Sequence, residues 1–167
     1  VTSATSAALQ DMLKVVKSRW RLSEIYIFDA LTQGESAPSS LIKALRRADK
    51  YGVDVIVLAR GGGSKEDLWC FNDEGLAREI YATKTPVISA IGHEIDYVIS
   101  DFVADRRSLT PSAAMLDLLP DEEAFFQYLD RLSDDLDSAL NLKITKKQNL
   151  LNLLLSKFSS NALKARI

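Results

Sequence analysis

VDVIVLARGGGS at residues 53–64 and PVISAIGHEID at residues 86–96 are the two stretches whose reading decides the fold. Each starts as a mainly apolar run of strand length, the pattern of a strand buried on both faces of a parallel sheet. Each then passes directly into glycine and polar residues. In an open α/β sheet, ligands collect in the crevice beyond the carboxyl ends of such strands, so Arg60 and His93 are expected to face one crevice.

Working outward, residues 24–30 (EIYIFDA) alternate and read as a further strand, and Val1-Thr2-Ser3 read as the end of another. Between them, Ala8, Leu9, Met12, Leu13, Val15 and Val16 form a helical apolar stripe after a hydroxyl-rich loop. Residues 38–50 read as a helix closed by Tyr51-Gly52, and Asn72 or Asp73 caps another that runs to about Thr83. Residues 96–103 fit either helix or strand. Thr110-Pro111 restarts a helix, with Thr as N-cap and Pro in the first turn. Strands alternating with helices predict a Rossmann/flavodoxin-like parallel sheet over residues 1–119, with strands ending near Ser3, Ala30, Ala59 and Ile91.

Residues 121–167 contain neither glycine nor proline. Phe125, Leu129, Leu132, Leu136, Leu140, Ile144, Leu151, Leu155 and Phe158 step mostly by three or four, as a coiled-coil or partner-binding seam requires. Residues 120–167 are therefore expected to form one long helical segment that self-associates; a hairpin of two helices, bending at Asn141 or Asn152, is the alternative. Seven acids and one arginine occupy residues 121–137, and six Lys or Arg with no acid occupy residues 138–167. That polarity complements the helix dipole and favours antiparallel pairing.

The chain has 167 residues, 47% hydrophobic and 26% charged, with net charge −2. This is a globular composition, and it disfavours a broadly basic nucleic-acid-coating surface while allowing a small cationic cleft. Cys70 is the single cysteine, which rules out an intrachain disulfide; without a secretory segment or a membrane-spanning run the expectation is cytoplasmic. The absence of an initial Met points to a segment of a longer chain.

The Arg60-Gly61-Gly62-Gly63-Ser64 loop brings backbone N–H groups and a guanidinium within reach of an anion, as phosphate sites do. It matches neither a Walker A nor a GxGxxG pattern, and a glycine run by itself is as readily a flexible loop. His93 is the only histidine. With Asp96 three residues on to orient it, it can exchange a proton near neutrality; the bland alternative is a structural histidine. Glu94, Asp96, Asp101 and Asp105 around it form a rival oxygen-ligand set for Mg²⁺. Asp11 is a candidate base or a surface acid. Thr2, Ser3, Thr5 and Ser6 can receive phosphate at a helix N-terminus or simply cap it. Trp69 and Phe71 could stack bases or fill the core. Asp101, Asp105, Arg106 and Arg107 read as a salt-bridge cluster or an extra phosphate contact.

TSATSAALQD near the start, TQG..A at 32–37, RGGGSKEDLWCFNDE at 60–74, GHEIDYVISDFVADRRS at 92–108 and TPSAA at 110–114 together make the chain resemble the exodeoxyribonuclease VII large-subunit family. The resemblance covers most of residues 1–119. It implies an exonuclease that degrades single-stranded DNA into short oligonucleotides with 5′-phosphates, with no strict metal requirement. Asp11, Arg60, His93 and Asp96 fall at the family's functional positions. The resemblance also implies a small helical subunit that assembles on the helical segment, and an OB-fold domain upstream. A phosphate-binding regulatory domain without catalysis, or a helical scaffold, are the competing readings.

Overall fold

The computed structural model describes residues 1–62, 65–92 and 97–158. Two units can be distinguished, Val1–Glu122 and Glu123–Ile167.

In the first unit, β1 (Ile56–Arg60), β2 (Val87–Ile91) and β3 (Arg106–Arg107) form a sheet in that order. Both pairings are parallel, with Ile56 opposite Val87 and Ile88 opposite Arg106. Two extended segments continue the sheet beyond β1. The Val1 nitrogen donates to Val57 O at 2.8 Å and Ala59 N donates to Val1 O at 3.0 Å. Thr2 in turn makes a parallel bridge with Asp29, with Ala30 N donating to Thr2 O at 3.1 Å. Across the sheet the chain order is therefore second, first, third, fourth, fifth, the doubly wound flavodoxin-like arrangement. The order reverses between the first segment and β1, so the switch point lies where Ser3 and Arg60 leave the sheet.

Helices cover both faces, because parallel strands need crossovers and each crossover buries an apolar stripe. On one face α1 (Ala7–Arg19) and, later in the chain, α6 (Pro111–Leu118) bury Leu9, Met12, Val16, Ala114 and Met115 against Ala59, Ile88 and Ala90. On the other, α2 (Ala37–Tyr51), α4 (Glu74–Ala82) and the short α5 (Ile99–Val103) close over Leu58, Val87 and Ile91. Leu41, Leu45, Phe71 and Leu76 are fully buried there, each contributing about 1.5–3 kcal/mol. The capping expectations hold: Asp73 Oδ1 accepts from Leu76 N, Thr110 Oγ1 accepts from Ala113 N, and Gly52 at φ 83° ends α2. Of residues 96–103, Ile99–Val103 form the helix α5, with Val98 extended before it. A short helical turn, α3 (Lys65–Leu68), leads into a 3-10 turn at Trp69–Asn72.

The strand expected at residues 24–30 is corrected. Only the bridge at Asp29 forms, and Ile25, Tyr26 and Ile27 are exposed. A strand needs a partner ladder, and the neighbouring segment reaches no farther than Phe28–Ala30. For the same reason β1 begins at Ile56 rather than Val53, opposite the first residue of β2.

Over its described residues the second unit is one helix, α7 (Glu122–Lys157), about 54 Å long at 1.5 Å per residue. It runs unbroken through Asn141 and Asn152, so there is no hairpin over these residues. None of its residues is buried, and Phe125, Leu129, Leu136, Leu151 and Leu155 all stand exposed. Among the described residues no helix is long and apolar enough to cross a membrane.

Candidate active site

Because all strands run the same way, Ser3, Leu31-Thr32-Gln33, Arg60-Gly61-Gly62 and Gly92 emerge along one edge of the sheet. Gly61 lies against the first turn of α1, where a Cβ would meet the Ala8 Cβ at 3.4 Å. The loop after β1 thus presses its backbone onto the N-terminal end of α1, whose cap is Ser6, with Ser6 Oγ accepting from Leu9 N at 3.1 Å. Gly92 sits at φ 71°, in the left-handed region that favours glycine, and its N–H donates to Arg60 O at 3.2 Å.

Arg60 is buried at the end of β1, and each of its nitrogens is engaged. Nε donates to Thr32 O at 3.3 Å; one terminal nitrogen donates to Gly61 O at 2.7 Å and Gly62 O at 2.9 Å. The other donates to Gln33 Oε1 at 3.1 Å and pairs with Asp67 Oδ2 at 3.3 Å. This guanidinium fixes the shape of its own glycine loop and ties it to the neighbouring Thr32-Gln33 turn. Among the described residues Asp67 is its one anionic partner, and that carboxylate is partly exposed. An incoming anion would compete with it.

Thr2 is buried, with its hydroxyl 3.4 Å from that of Ser6; Ser3 Oγ lies 3.3 Å from Thr5 Oγ1. Asp29 Oδ1 accepts from Ala4 N at 2.8 Å and fixes the turn that precedes α1. Asp11 stands one turn into α1 with an exposed side chain, 3.1 Å from Lys14 Nζ. Gly63, Ser64, His93, Glu94 and Asp96 lie outside the described residues. Of the two aromatic candidates, Phe71 is fully buried and Trp69 is exposed. Burial raises the Cys70 thiol above its ordinary range, against a smaller opposing effect of Arg60, so it is a poor nucleophile at neutral pH.

Sequence reasoning placed Asp101 and Arg107 in a salt-bridge cluster, and they do pair, but it missed the buried bonds that Asp101 makes to Ser89 and Val98. Asp101, on α5, accepts from Ser89 Oγ at 2.6 Å, from Val98 N at 3.2 Å and from Arg107 Nε at 3.3 Å. It thereby ties the start of α5 to the middle of β2. The spacing to Arg107 suggested an ion pair, but Ser89, in the middle of an apolar run, gave no signal. Arg106 points the other way and pairs with Asp117 on α6 at 3.2 Å. Asp105 Oδ2 accepts from Val87 N at 2.7 Å. Asp101 and Asp105 are therefore engaged within the fold, and among the described residues no group of three or more His, Cys, Asp or Glu could hold a metal ion.

A doubly wound α/β domain with an arginine-glycine crevice at its switch point, followed by a long exposed helix, defines the class of protein. Within that class, the family model described as "Exonuclease VII, large subunit" matches residues 1–166, and the chain belongs to that family. It is 57% identical over its full length to an exodeoxyribonuclease 7 large subunit of Campylobacter fetus subsp. fetus, covering 43% of that protein. The identity is 60% over 95% of the chain to that of Campylobacter jejuni strain RM1221, covering 41% of it. It is 56% over 97% of the chain to that of Campylobacter lari, covering 43%. The chain thus spans about two fifths of the length of these curated relatives.

Proposed function

We propose that this chain is the catalytic region of an exonuclease that hydrolyses single-stranded DNA to short oligonucleotides bearing 5′-phosphates. The observation that carries the reading is the packing of the Arg60-Gly61-Gly62 loop against the start of α1 at the switch point, in a chain of the exonuclease VII large-subunit family. A phosphodiester entering there exchanges Asp67 for a non-bridging oxygen on the outer nitrogen of Arg60 and takes the loop N–H groups as further donors. Water attacks phosphorus and gives up its proton to Asp11. The bond to the 3′-oxygen breaks, and that oxygen takes a proton from His93, oriented by Asp96; the phosphate stays on the 5′-side of the released fragment. Mg²⁺ is accessory in this scheme and not required.

The exposed α7 seam recruits a small helical subunit and pairs with a second copy of itself, since an uncovered apolar stripe of that length is an association surface. The assembled enzyme works in the cytoplasm. The test is degradation of a labelled single strand by the full-length protein with its small subunit, with and without EDTA. Cleavage in EDTA supports acid/base catalysis. Cleavage only with Mg²⁺ moves the chemistry onto a metal, and binding without cleavage in either condition leaves a phosphate-binding regulatory domain.

A further inference from the structure

Two aromatic rings stand in solvent on and just before α5, alongside the middle of β2. Tyr97 and Phe102 are 60% and 75% exposed. They are nevertheless stacked, with ring centroids 5.9 Å apart and planes inclined by 27°. The Arg107 guanidinium lies 4.0 Å from the Tyr97 ring centroid. Guanidinium, phenol and phenyl thus make an ordered set, and Phe102 offers the most open surface.

The set rests on a rigid base. Asp101 holds both Val98 N and Arg107 Nε, fixing the residue after Tyr97 and the cation over its ring. Asn72 Oδ1 accepts from Ile99 N at 2.8 Å, and Ser100 Oγ donates to Phe71 O at 2.8 Å. These bonds tie α5 to the turn that carries the exposed Trp69. Exposed rings held by a buried frame lose little freedom when a flat partner settles on them.

We propose that Tyr97 and Phe102 form a stacking site for one nucleobase of single-stranded DNA, with the base lying on Phe102. This rests on the exonuclease reading above and adds to it a contact to a base. A flat aromatic ligand fits better than a folded protein, because a stable protein interface needs about 800 Å² per partner and two rings fall far short. Stacking on an aromatic accepts any base, which suits an enzyme that must move along a strand of arbitrary sequence.

The experiment uses the full-length protein with its small subunit and phosphorothioate single strands carrying 2-aminopurine, whose fluorescence is quenched on stacking. Wild type is expected to quench the probe at one position along the bound strand. Phe102→Ala should abolish that quench and weaken binding about 5- to 150-fold; Phe102→Trp should retain both. An abasic residue at the quenched position should weaken wild type by a similar factor and leave Phe102→Ala unchanged. Unaltered quenching and affinity in Phe102→Ala, or no binding of the single strand by wild type, overturns the proposal. Cleavage of an unmodified strand is measured alongside. Wild type that quenches and depends on Phe102 without cleaving refutes the exonuclease reading and keeps the stacking site; wild type that cleaves with an indifferent Phe102→Ala does the reverse.

Discussion

Replacing Asp101 by Ala removes the acceptor for three donors at once: the Ser89 hydroxyl, the Val98 N–H and Arg107 Nε. Ser89 is fully buried and Val98 nearly so, whereas the Arg107 side chain retains some exposure and can turn to water. Two stranded neutral donors at about 1–3 kcal/mol each, reduced by relaxation, give a loss of about 2–5 kcal/mol. That is a large part of the 5–15 kcal/mol typical of a domain. Ser89→Ala alone, which leaves Asp101 its other two partners, should cost about 1 kcal/mol. The double variant should cost less than the sum, because the Ser89 donor is no longer present to be stranded. Urea unfolding read by tryptophan fluorescence measures this cleanly, since Trp20 and Trp69 both lie in the α/β unit and α7 has no tryptophan. A loss below 1 kcal/mol for Asp101→Ala at unchanged denaturant slope, or strict additivity with Ser89→Ala, would refute the hub.

Asp49 joins α2 to the approach to β2, accepting from Thr85 N, Thr85 Oγ1 and Lys84 N. These bonds, led by the Thr85 backbone N–H, hold its carboxyl below the ordinary range. A lowered folded value means stabilisation that is present at neutral pH and lost as pH falls through that value. Thermal unfolding of Asp49→Asn should therefore lie below wild type at pH 7 and converge with it in acid; a gap that stays constant with pH would contradict the assignment. For α7, sedimentation equilibrium of the 167-residue chain should show a dimer at micromolar concentration and a version truncated after Pro120 a monomer. Two monomers would mean that the seam does not self-associate.

The central strands were legible because burial on both faces leaves a mainly apolar run, and most of residues 53–59 and 86–91 form strand. Residues 24–27 misled for the complementary reason: alternation shows that a segment suits a pleated surface but does not name the strand it must lie beside. β3 is only Arg106–Arg107, two charged residues whose strand character comes wholly from docking on β2. At the site, the glycines and the arginine could be found from residue type, but the carbonyls that fix Arg60 belong to backbone at Thr32, Gly61 and Gly62. Backbone acceptors leave no mark on side-chain identity. The TQG stretch stood out only through the family resemblance, which gave no role for Thr32 or Gln33. Tyr97 and Phe102 looked like part of an ambiguous helix or strand, and only the fold shows them stacked in the open.

The central claim is that the crevice beyond β1 and β2 performs phosphodiester hydrolysis with Arg60 and His93. Its most direct test is single-turnover degradation of a labelled single strand by the full-length protein, with its small subunit, carrying Arg60→Ala or His93→Ala. The account predicts that each variant loses about 10²-fold or more in cleavage rate, with the loss for His93→Ala occurring at unchanged affinity for the strand. Cleavage by His93→Ala at the wild-type rate would contradict it.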